Sequence, residues 1–444
     1  MKIARMRLSI ASLCALSFCP ALSFANGYHF LHQSAEGLGT AYATNGTGAG
    51  DISAMFSNPA SIIRFDGTRA SAGFVLDLPK SKLYNAKATA PFTNGTVPVS
   101  GTPAEPSQPI DTAYGASIYL TQEAHPGLVF GVAVGAPFAY VSEYPETAMS
   151  RYTATRTALT AIDVSPTVAY RINSQWAIGA SLNLQYYIAD LDTMVATSLN
   201  PSTATDMKSH INAKNFAPGL SIGAELQATP STRIGASFRS AVHHSFHGTA
   251  ELSGAPANYA ALVANAQAQG ISITSPNGNA EFDIATPYML QFGLLHQMNE
   301  KLELYANASR FGWSVFKNTH IKYSNGLQET VVDNNWNDSW FAALGLGYQY
   351  TAKLKFRAGM AYDWSPTPAD SVSPRAPNGD RWNIGLGLSY ALDKDWKLDF
   401  GYQYIQFNKV MIALKDGDNI PRGTLDANLD LHANIFMVQI NKRF

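Results

Sequence analysis

Trp382-Asn383-Ile384-Gly385-Leu386-Gly387-Leu388-Ser389-Tyr390 decides the fold. Every second residue is large and apolar, small or polar residues stand between, and an aromatic closes each end. Successive side chains of a strand point to opposite faces, so this segment offers one face to lipid and the other to a lumen. Its aromatic ends suit the headgroup level of a bilayer. The next segment repeats the pattern: Trp396, Leu398, Phe400, Tyr402 and Tyr404 alternate with Lys397, Asp399, Gly401 and Gln403, which assigns charge to the interior. The same alternation runs through 128–134, 162–170, 176–186, 220–226, 288–294, 340–350 and 354–362. A soluble β-sandwich also alternates, but its outward face would be polar.

The connections between these segments fall into two kinds. Short ones at 122–126, 171–175, 227–231, 298–301, 350–353 and 392–395 alternate with long ones at 79–110, 190–209, 247–281, 364–380 and 415–427. Outer-membrane barrels are built with short periplasmic turns and long outer loops. Counting hairpins predicts an all-β fold, a transmembrane antiparallel β-barrel of about fourteen strands over 67–444 with both termini periplasmic; a monomer is expected. Phe436, Val438, Ile440 and Phe444 alternate to a terminal phenylalanine, the form of signal that barrel-assembly machinery reads.

Composition agrees. Only 14% of the 444 residues are charged, against about 25% in soluble domains. Mean hydropathy is −0.08, and no apolar run long enough for a spanning helix follows the leader. A net charge of −1 argues against nucleic acid or an anionic surface as partner. The leader is basic at Lys2, Arg5 and Arg7, apolar from Leu8 to Phe24, and ends in Ser23-Phe24-Ala25. Small residues there predict a signal peptide over 1–25. A lipidated Cys19 is disfavoured by Phe18 before it and Pro20 after it. Cys14 and Cys19 both fall in this leader, so no disulfide or cysteine metal site is expected in the mature chain.

Residues 26–66 do not fit a wall: they are rich in Gly, Ala and Ser and alternate nowhere. A barrel of about fourteen strands encloses a lumen that needs filling if it is to be selective, so this segment is expected to be a plug. Gly37-x-Gly39-x-Ala41, Asp51 and Asn58-Pro59-Ala60 then resemble the hatch signature of the FadL/TodX family, outer-membrane transporters of long-chain fatty acids and aromatic hydrocarbons. Gly135-Ala136-Pro137-Phe138 with Tyr144-Pro145, Arg151-Tyr152, 165–170, 356–366 and 377–381 extend the resemblance along nearly the whole mature chain. Ser150 and Ala139 stand where the family usually has glycine.

The resemblance implies passive, ligand-gated uptake of long-chain fatty acids or other small hydrophobic molecules across the outer membrane. It implies a kink in the third strand at Gly135, Ala136, Pro137 and Phe138, opening a lateral exit into the bilayer and faced by Asn58, Pro59 and Ala60. From the residues alone, Pro137 marks a break or a rim bulge. The resemblance places a basic residue near the ligand head at Lys317. Arg151 is the other carboxylate candidate; either could be a solvated rim charge. Tyr259, Leu262 and Val263 lie at helical spacing in an uncharged loop, as a hydrophobic landing groove or as packing onto the rim. His243, His244 and His247 lack neighbouring ligands at metal-site spacing and are expected at the outer end of a strand. Asn45-Gly46-Thr47 and Asn94-Gly95-Thr96 match a glycosylation sequon but are expected to be turns. No catalytic residue, metal or cofactor is expected. A general porin would lack the plug, and an adhesin would depend on its loops alone.

Overall fold

The computed structural model describes residues 27–48, 50–91, 97–99, 109–110, 112–198, 201–414 and 422–444. The expected leader and Asn94-Gly95-Thr96 lie outside them.

Fourteen antiparallel strands close a barrel. They are β1 (Thr68–Ala88), β2 (Ala113–His125), β3 (Leu128–Glu143), β4 (Arg156–Arg171), β5 (Trp176–Val195) and β6 (Met207–Thr229). There follow β7 (Thr232–Arg239 and Val242–Ser253), β8 (Asn277–Thr286 and Tyr288–Gln297) and β9 (Leu302–Gly312). The wall ends with β10 (Ser339–Gln349), β11 (Leu354–Asp363), β12 (Arg381–Ala391), β13 (Trp396–Phe407 and Val410–Leu414) and β14 (Leu425–Arg443). Pairing of β1 with β14, from Arg69↔Arg443 to Ala88↔Leu425, closes the sheet. β8 is interrupted at Pro287, which has no N–H for the ladder. Beyond β9 a short strand, Asn318–Tyr323, carries the wall outward against the upper part of β8.

The alternation in the deciding stretch holds in three dimensions. Trp382, Ile384, Leu386 and Tyr390 are exposed on the outer face, whereas Asn383 and Ser389 are buried in the lumen. In β13, Asp399 and Gln403 are buried inside while Phe400 faces out. The strands outrun the expectation: β5 has 20 residues and β6 has 23, against the 9–11 or so that cross a bilayer. The loop placed from Pro79 is strand as far as Ala88. Lys80 and Lys82 point outward there, so the strand continues in water after its lipid-facing pattern stops.

Residues 27–48 and 50–67 fill the lumen. They hold a short helix α1 (Ala35–Gly39), two 3-10 turns (Ile52–Phe56 and Pro59–Arg64) and a bend at Gly46, φ +84. Side chains cap each turn: Ser34 accepts from Gly37 N, Asp51 from Ser53 N, and Asn58 from Ala60 N. Wall glycines let this plug dock. A Cβ on Gly359 would stand 2.0 Å from Thr40 O, and one on Gly235 2.0 Å from Gly46 O. Ion pairs fix it further: Glu36 to Arg357 at 3.3 Å, Arg64 to Glu225 at 3.1 Å and Asp51 to Lys397 at 3.6 Å.

Candidate functional site: a lumenal cavity beside a parted wall

Strand β3 leaves β2 halfway along. Pairing between them runs in register from Ile118↔Val134 to Glu123↔Val129, toward the short turn at Pro126, while Ala113–Ser117 pair only with β1. On the other side, the β3–β4 register shifts between Gly135 and Phe138. That break in register falls on Gly135, Ala136, Pro137 and Phe138.

Its partner differs from the expected one. Asn58, Pro59 and Ala60 do not face the kink; they lie against β5, β6 and β7. Asn58 Nδ2 donates to Ala224 O at 3.2 Å and to Gly46 O at 2.6 Å, and Gly179 and Gly223 leave room for the backbone at Pro59 and the Asn58 amide. Residues 28–33 face the kink instead. Phe30 N donates to Pro137 O at 2.7 Å and Ala139 N to Tyr28 O at 3.3 Å, so His29 pairs with Phe138 as an added strand. Gln33 spans the gap: its Nε2 donates to Ala136 O of β3 at 2.7 Å, and its carbonyl accepts from Ser117 Oγ (3.2 Å) and Tyr119 OH (2.8 Å) of β2. A Cβ on Gly135 would collide with Gln33 Oε1 at 2.3 Å.

Above this plug lies a cavity of about 440 Å³, within the size range of ligand pockets. Leu159, Met194, Ile211, Phe282, Ile321 and Trp336 make its lining mostly apolar, and Tyr28 belongs to it. Tyr28 packs edge-on against Trp313 at 4.8 Å and against Phe138 at 5.9 Å. One aromatic ring thus separates the cavity from the kink.

Neither expected carboxylate ligand lines the cavity. Arg151 is fully buried, with Nε on Asp206 at 3.0 Å and Nη2 on Tyr152 OH at 3.0 Å; it ties the loop after β3 to the loop after β5. Lys317 is exposed, and its neighbour Phe316 lines the cavity in its place. Among the described residues the cations in the wall are Arg375 and Arg422, both on long outer connections. Burial, with the Arg422 guanidinium nearby, pushes Arg375 down to about 10. Their only mark in the sequence is an arginine within Pro374-Arg375-Ala376-Pro377 and another in a long loop.

The predicted loop helix exists as α2 (Pro256–Ala268). Of Tyr259, Leu262 and Val263, Leu262 lines the cavity, together with Asn265 and Ala266; Tyr259 and Val263 are half-buried elsewhere. Asn258 and Asn265 tether the helix through Ala204 O (3.0 Å) and Thr197 O (2.5 Å). His244 points into the lumen, bonded to Gln185 Oε1 at 3.2 Å, while His243 and His247 are exposed. Asp190, Asp192 and His210 gather near the outer rim, where Arg156 and Lys208 already neutralise the two carboxylates.

Over residues 16–444 the sequence matches the family model described as outer membrane protein transport protein (OMPP1/FadL/TodX). The chain belongs to this family. It is 24% identical over 423 residues to a long-chain fatty acid transport protein of Escherichia coli O6:H1, covering 91% of this chain and 92% of that one. The crystal structure of a Pseudomonas aeruginosa FadL homologue superposes with TM-score 0.85 at 21% identity, covering 94% of this chain and all of that one. The toluene transporter TbuX of Ralstonia pickettii superposes with TM-score 0.64 at 20% identity, over 91% and 98% of the two chains. This OMPP1/FadL/TodX member is thus an outer membrane barrel of a transport family.

Proposed function

We propose that the protein carries long-chain fatty acids from the cell exterior into the outer membrane by passive diffusion. A fatty acid enters the cavity, displaces residues 28–33 and leaves sideways between β2 and β3. The carrying observation is one strip of plug, Tyr28 to Gln33, whose Tyr28 end lines the cavity and whose Gln33 end bridges the parted strands.

The energetics favour this route. Each methylene taken from water gains roughly 0.8 kcal/mol, so a dry apolar cavity holds a long tail. The strip is linked across the gap by a handful of hydrogen bonds, each worth only about 0.5–1.5 kcal/mol net. Tail binding is therefore of the right size to move it. Nothing along the route forms or breaks a covalent bond, so the chain acts as a channel and not as an enzyme. It works as a monomer, because cavity and gap belong to one barrel; its leader, residues 1–25, is removed on export, 26–66 serves as the hatch, and the terminal Phe444 strand is read during barrel assembly.

The test is uptake of labelled palmitate and of labelled toluene by cells lacking their own transporter. Palmitate uptake dependent on this chain is expected. Toluene uptake without palmitate uptake contradicts the proposal and favours the aromatic-hydrocarbon alternative, which the likeness to the toluene transporter TbuX supports.

A further inference from the structure

We infer that Arg375, with Arg422 beside it, forms a carboxylate-binding corner of the cavity and selects amphipathic monoanions over neutral hydrocarbons of the same length. This rests on the proposed fatty-acid function and names the group that reads the ligand's head.

The loop between β11 and β12 is pinned inward. Pro374 O accepts from Tyr144 OH at 3.1 Å, and Arg375 O from Ser142 Oγ at 3.4 Å, which anchors the loop to the outer end of β3. The Arg375 side chain then reaches the cavity wall. Its one hydrogen bond there, Nη1 to Thr157 Oγ1, is long at 3.5 Å. Among the described residues no carboxylate lies within ion-pair distance of it, whereas Arg64, Arg151, Arg239, Arg357 and Arg381 each pair with one.

A half-buried guanidinium without a counter-ion is costly. A second guanidinium close by adds repulsion, and Tyr323, whose hydroxyl is already engaged with Thr330 at 3.1 Å, gives no counter-charge. A carboxylate entering this corner relieves both costs and gains charge-assisted bonds. A hydrocarbon or a fatty alcohol leaves the charge uncompensated. Leu159, Ile211 and Phe282, in the same cavity, offer the tail an apolar bed.

The experiment is equilibrium binding of palmitate and of hexadecanol to the full-length protein in lipid nanodiscs, for wild type, Arg375→Met and Arg375→Lys. Retained heat-modifiable gel mobility reports a folded barrel. Arg375→Met should weaken palmitate binding about tenfold to a hundredfold, the range for hydrogen bonds to a charged group, and leave hexadecanol binding unchanged; Arg375→Lys should fall between. If Arg375→Met does not fold, Arg375→Gln carries the same expectation. Palmitate binding that is unaltered, or that falls in step with hexadecanol, overturns the inference while leaving the transport proposal standing. A wild-type protein that binds toluene but not palmitate contradicts the transport proposal itself, and the inference with it.

Discussion

Gln33 joins β2 to β3 with one side-chain amide and one carbonyl. Replacing it by leucine keeps the bulk and removes the donor to Ala136 O, a loss of about 1 kcal/mol. The Gln33→Leu protein should show faster amide exchange over 28–33 and faster palmitate uptake; unaltered exchange would mean the strip is held by packing alone. Arg151 behaves as a structural residue. Removing one partner of a buried pair costs about 3–5 kcal/mol, so Arg151→Met should expose the loops after β3 and β5 to protease, and adding Asp206→Asn should recover much of the loss. Equal cleavage of single and double variants would contradict this. The two arginines also mark where the sequence stopped being legible. Arg151 stands beside an aromatic in a family motif and reads as a ligand, yet its partner Asp206 is 55 residues away. Arg375 carries no motif, and only the folded loop brings it to the cavity.

Among the elements, the lipid-facing strands were legible because lipid imposes a period of two on them. Their outer extensions were not. In β1 beyond Pro79, and in β5 and β6 near the rim, the outward face leaves lipid for water, and polar outward residues such as Lys80 and Lys82 resemble a loop. The kink was legible from Gly135 and Pro137, but its partner was not, because the plug's docking is set by wall glycines whose neighbours are fixed only in three dimensions. Those glycines allow a direct test. Gly359→Val should push the Thr40 backbone off β11, loosen the plug, and raise single-channel conductance in planar bilayers over wild type. Conductance equal to wild type would show that the plug is held mainly by its ion pairs.

At the scale of the whole molecule, barrel and plug divide the work. The barrel closes on itself through β1 and β14, so deleting residues 27–63 should leave a heat-modifiable barrel with an open, ion-conducting lumen; failure to fold would make the plug part of the wall's stability. The central claim is that fatty acid passes where residues 28–30 pair with the kinked strand. His29 and Phe138 face one another as a non-hydrogen-bonded antiparallel pair, where Cα atoms stand about 4.5 Å apart, within disulfide reach. The most direct measurement is palmitate uptake by the His29→Cys, Phe138→Cys double variant, oxidised and then reduced, with each single variant as control. Uptake abolished by oxidation and restored by reductant is the predicted result. Uptake that proceeds undiminished through the cross-linked protein would contradict lateral exit at this strip.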